Sequence, residues 1–130
     1  MLSWAGSEMD VGGFVIVDDS GEEVVLPEGP PLVPGQRALV VPSGFDASDA
    51  RDVLPAPGTR LIRVEPRSLG SGGLRNGGER LELRDREGRV VSRAPAADLS
   101  RGDCLARVGA PDVDDPSAWQ RRPCSPGAPP

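Results

Sequence analysis

Glycine and proline, 17 and 15 of the 130 residues, cut this chain into short pieces, and that spacing constrains its fold more than any other feature. They stand between brief apolar runs rather than in one block, so they act as turn punctuation. Runs that brief are too short for core helices, and many carry β-branched residues or alternate polar with apolar, as strands do. The chain is long enough for one ordinary domain with a real but modest core.

Residues 14–17 form a β-branched and aromatic run. Asp18-Asp19-Ser20-Gly21 follows, then a second run over 22–26, which predicts a hairpin. Pro27, Pro30, Pro31 and Pro34 prevent a regular ladder beyond it. A strand is expected over 37–41 and another over 61–64, with a short helical turn over 47–54 capped by Asp46. Residues 69–78 hold five glycines and one Asn and read as a loop. A second hairpin follows: alternating residues 79–84, the turn Asp85-Arg86-Glu87-Gly88, and a return over 89–93. A last strand is expected over 104–108.

Six or seven such strands with no long helical period bury their apolar sides only in a closed or two-layer β architecture. Parallel α/β folds need crossover helices, and none is visible. The expected class is therefore all-β, as an antiparallel two-sheet sandwich. Phe14, Leu39, Leu81, Leu83, Val91 and Leu105 are the expected core, with Trp4 and Trp119 as plugs, since the chain has only four aromatic residues.

Charge narrows the partners. The net charge is −5, and all 15 basic residues are Arg, scattered along the chain. A duplex or an anionic membrane would repel such a surface, so no nucleic-acid partner is expected. No apolar run reaches the ~18 residues that span a bilayer. Residues 1–6 lack the basic-then-apolar order of a signal peptide. Either the protein is cytoplasmic, or the chain is a fragment of a longer exported one. With no His, Lys or Tyr, the usual bases, Schiff-base formers and phenols are missing, and Ser-His and Cys-His pairs are excluded. No enzyme, catalytic residue or cofactor is expected.

Several small motifs have a functional and a plain reading. Asp112, Asp114 and Asp115 share one loop and are a weak Ca²⁺ candidate, with Asp18-Asp19 a second acidic pair; EF-hand spacing is absent, and solvated acidic loops are the plainer reading. Carboxylates of this kind also leave a small hydrolase as the least favoured reading. Arg101-Gly102-Asp103 matches an adhesion tripeptide but reads better as a turn before the last strand. Asn76-Gly77-Gly78 lacks the Lys and the following helix of a phosphate loop, and instead leads into a hairpin. No zinc site is expected without His or a CxxC pair.

Two stretches together resemble the lamin-tail domain, an immunoglobulin-like sandwich found in nuclear lamins and in secreted bacterial proteins. The first runs from Leu74-Arg75-Asn76-Gly77-Gly78 through Leu81 and Leu83 to Asp85, Gly88 and Val90-Val91. The second runs from Cys104-Leu105-Ala106-Arg107 through Trp119 to Pro123-Cys124-Ser125-Pro126-Gly127-Ala128. Upstream, Gly12-Gly13-Phe14 leading into Asp18-Asp19 is similar to the family's opening, and Pro34-Gly35 before Leu39-Val40-Val41 to its next strand.

The resemblance covers most of the chain and implies a lamin-tail-like domain over residues 1–122 with a Pro-rich tail over 123–130. It also implies a non-catalytic binding or spacer role in a larger exported bacterial protein, extracellular, periplasmic or at the cell surface, with a protein or cell-surface component as partner. It favours a Cys104–Cys124 disulfide, a closure worth roughly 3 kcal/mol, over two unrelated thiols. The family begins with two further strands, of which only Leu2-Ser3-Trp4-Ala5 remains here. That departure leaves a sheet edge open, and with it the alternative of a stand-alone structural or assembly protein, an edge-paired dimer rather than a monomer.

Overall fold

The computed structural model describes residues 2–3, 8–46, 48, 54–65, 80–99, 102–108 and 116–126. Nine strands and one 3-10 turn make up its regular structure. In chain order the strands are β1 (Leu2–Ser3), β2 (Val15–Val17), β3 (Glu23–Val25), β4 (Arg37–Pro42), β5 (Arg60–Val64), β6 (Leu81–Arg84), β7 (Val90–Ala94), β8 (Asp103–Arg107) and β9 (Trp119–Pro123). They form a three-stranded sheet in the order β1-β4-β5, a four-stranded sheet in the order β3-β2-β6-β7, and a two-stranded ribbon of β8 and β9. The chain is all-β, and both expected hairpins, β2–β3 and β6–β7, are formed.

The two larger sheets share one hydrophobic cluster. Ala38, Ile62 and Val64 from the three-stranded sheet meet Val24 from the four-stranded one. Val11, Phe14, Leu26 and Leu32 fill it from the flanking segments. Leu32 lies inside the proline-rich stretch, fully buried, and exchanges two backbone hydrogen bonds with Met9. The prolines thus allow an isolated bridge there rather than a ladder.

Two expectations need correction. Every described ladder is antiparallel except β4–β5, which is parallel, with Leu39 opposite Leu61 and Val41 opposite Arg63. Residues 43–59 separate the two strands, a return long enough for a parallel pairing, which needs about a dozen residues. The second concerns Val91, expected in the core but 44% exposed. The β6–β7 register shifts between Leu83 and Arg84, so that Leu83 faces Ser92 while Arg84 faces Val90. The resulting bulge takes Val91 out of the inward alternation. Of the other expected core residues, Phe14 joins the cluster and Leu83 packs on it, whereas Leu39, Leu81, Leu105 and Trp119 are half-buried. Trp4 lies outside the described residues.

Candidate functional site

The chemically distinctive groups gather in two places, the β8–β9 ribbon and the ends of the four-stranded sheet. In the ribbon, Asp103 faces Pro123, Leu105 faces Arg121 and Arg107 faces Trp119. Cross-strand partners share a face, so these residues form one side of the ribbon. Arg107 stacks over the Trp119 ring at 4.5 Å from its centre, a cation–π contact. The same guanidinium donates from Nη2 to the Ser92 hydroxyl on β7, at 2.7 Å. Arg121 donates to the carbonyl of Asp98.

Cys104 faces Arg122 on the opposite side of the ribbon. Cys104 and Cys124 stand at disulfide distance, with Cα atoms 4.9 Å apart, inside the span that a disulfide bridges. The amide of Cys124 donates to the carbonyl of Gly102. Just beyond, Ala56 donates its amide to the carbonyl of Pro126, which ties the segment after β9 to the stretch preceding β5. The sequence boundary at residues 122 and 123 falls within β9.

At the ends of the four-stranded sheet, the hairpins carry turns of the same construction. In the β2–β3 turn, Asp18 Oδ1 accepts from the amides of Ser20 and Glu22, and the Ser20 hydroxyl donates to it at 2.6 Å. In the β6–β7 turn, Asp85 Oδ1 accepts from the amides of Glu87 and Arg89, and Arg89 Nε donates to Oδ2 at 3.0 Å. Gly21 and Gly88 close the two turns at φ 85° and 81°, a left-handed conformation that a side chain resists.

The second residue of each turn reaches across to the segment leading into the other hairpin. Asp19 accepts from the amide and Nε of Arg80, just before β6. Arg86 donates to the carbonyl of Gly12, just before β2, and pairs with Asp10 at 3.2 Å and Glu28 at 3.0 Å.

Electrostatics follow this wiring. Burial acts to raise the Asp85 carboxyl, but the Arg89 amide, the Arg89 charge and its side-chain hydrogen bond outweigh it and hold the group below its ordinary value. Arg89 is pushed above its ordinary value by its hydrogen bond to Glu87 and by the Asp85 charge.

Of the sequence-derived site residues, Cys104 and Cys124 come together, and Asp18 and Asp19 engage the turn and Arg80. Asp112, Asp114, Asp115, Asn76, Gly77, Gly78 and Arg101 lie outside the described residues. Gly102 is exposed at φ 86°, the turn expected before β8. Asp46 accepts from the amide and hydroxyl of Ser48; most of the helical turn expected after it lies outside the described residues. Among the described residues, no three His, Cys, Asp or Glu side chains gather into a metal-binding group, and no helix is long and apolar enough to cross a membrane.

Sequence reasoning did not anticipate the Arg86 contacts or the stacking of Arg107 on Trp119. Arg86 looks like an ordinary turn residue, because its partners stand 58 to 76 positions away. In comparisons with known proteins, no family model, no curated protein and no solved structure matches the chain.

Proposed function

We propose that this chain is a lamin-tail-like, immunoglobulin-like sandwich module, without catalytic activity of its own, that binds or spaces within a larger exported protein. The observation that carries this reading is the hydrophobic cluster shared by the three- and four-stranded sheets, the packing a two-layer β module requires. The cysteine pair at disulfide distance adds to it, since such bonds persist in oxidising compartments. The described carboxylates and guanidiniums largely engage one another and the backbone, which suits a mechanical part better than a reaction centre.

Placed behind a bacterial export signal, the chain should accumulate outside the cytoplasm as a folded monomer, checked by cell fractionation and by light scattering after size-exclusion chromatography. Material that folds only inside the cytoplasm would sink the reading.

A second reading rests on one observation. β1 meets β4 only at Arg37 and Ala38, so the stretch Val40–Val41–Pro42 has no described strand on that side. Such an edge can take up a partner strand. A dimer that persists on dilution would favour the stand-alone assembly protein over the module.

A further inference from the structure

We propose that the β8–β9 ribbon is a redox-gated latch. A Cys104–Cys124 disulfide clamps its two strands into one unit that Arg107 seats on the core-facing side of β7, and reduction by a dithiol loosens that unit and releases it while the two-sheet core stays folded. The proposal depends on that disulfide forming, but not on the module reading above.

The core cluster takes its residues from Val11 to Val64, with Leu83 packed on it, and none from the ribbon. Two-stranded ribbons are marginal on their own, so this one depends on its attachments. Its attachments include Arg107 to Ser92, Arg121 to the Asp98 carbonyl, and Ala56 to the Pro126 carbonyl. These three are polar, Ala118 just before β9 is buried, and no ribbon residue belongs to the buried cluster.

The side of β7 that the ribbon covers follows from register. Ser92 faces Leu83 across the β6–β7 ladder, and Leu83 packs on the core. Ser92 therefore stands on the core-facing side, and Arg107 brings the ribbon there. Leu105, Arg107, Trp119 and Arg121 share the ribbon face that makes these contacts, whereas Cys104 belongs to the other; Cys104 and Cys124 are both half-buried.

The reaction is ordinary thiol–disulfide exchange. One thiolate of the dithiol attacks a sulfur of the pair, and the second resolves the mixed disulfide. Two electrons and two protons pass to Cys104 and Cys124, and the dithiol leaves as a cyclic disulfide.

The test uses the full chain, oxidised, carrying Trp4→Phe so that Trp119 alone fluoresces. Dithiothreitol should speed amide exchange in 102–108 and 119–126 by at least about tenfold, as a local opening does, while β2, β4, β5 and β6 exchange as before. Trp119 emission should move to the red. The double variant Cys104→Ser, Cys124→Ser should show the released pattern with or without dithiol. Ribbon exchange unchanged by reduction would overturn the latch, and so would loss of protection in the core strands together with the ribbon. Two titratable thiols persisting after treatment with oxidised glutathione would remove the disulfide, and the latch with it, yet leave a monomeric exported module standing.

Discussion

The turns at residues 18–21 and 85–88 have one backbone and two surroundings. In each, the glycine amide bonds back to the aspartate carbonyl, at 3.1 and 3.0 Å, and the aspartate amide donates to the carbonyl four residues on, at 3.3 and 2.9 Å. In each, the carboxylate gathers the amides two and four residues ahead. Yet Asp18 is buried, 8% exposed, with a serine hydroxyl on its carboxylate, while Asp85 is only partly covered and bears the exposed Arg89. The reciprocal contacts carry opposite signs: an aspartate of the first turn meets Arg80, and an arginine of the second meets Asp10 and Glu28. Four residues therefore set the shape of such a turn, whereas its energetic weight is set by what the rest of the chain lays over it.

The largest expected effect separates the two carboxylates. Asp18→Ala strips acceptors from a buried turn and should destabilise the protein by about 2 kcal/mol. Asp85→Ala should lower the melting temperature clearly less; equal losses in thermal unfolding would mean that burial does not distinguish the turns.

Next come the glycines. Both adopt left-handed backbone with open space where a Cβ would stand, so Gly21→Ala and Gly88→Ala should each cost about 1 kcal/mol. The two costs should be alike, because the strain is local. A large difference in denaturant midpoints would show that the surroundings reach the backbone too.

The smallest effect is a pH dependence. The folded Asp85 carboxyl titrates below its unfolded value of about 3.8, so its contribution is present above that pH and fades as the pH falls through the folded value. Wild type should therefore lose its advantage over Asp85→Asn below about pH 4, and high salt should shrink the difference, since Arg89 is exposed. A stability gap that does not change with pH would remove the charge from the account.

Both hairpins were legible because their signals are local: an Asp, a Gly three positions later, and β-branched or alternating residues on either side. The alternation at Leu81 and Leu83 likewise marked β6, though not the bulge that turns Val91 outward, since a register shift leaves no compositional trace. Leu26 and Leu32 went unnoticed as core because the prolines around them speak only of missing ladders, not of burial. The parallel β4–β5 pair was hidden for a further reason: parallel strands are expected with a crossover helix, and the polar connection after β4 offers only the short helical turn expected over 47–54. The cysteine pair was visible as a possibility from its even count, whereas Arg107, Arg86 and their partners meet only through the tertiary fold.

That parallel pair has a kinetic consequence. A hairpin can zip outward from its turn within microseconds, but β4 and β5 have no turn to start from. The chain must first carry the 43–59 connection from the end of β4 back to its start, where β5 begins, with the entropy of loop closure against it until the first rungs form. Val41, Ile62 and Val64 are among the most deeply buried residues, so the interior cannot consolidate before that meeting takes place. Assembly is therefore timed by its slowest encounter rather than by its quickest turns.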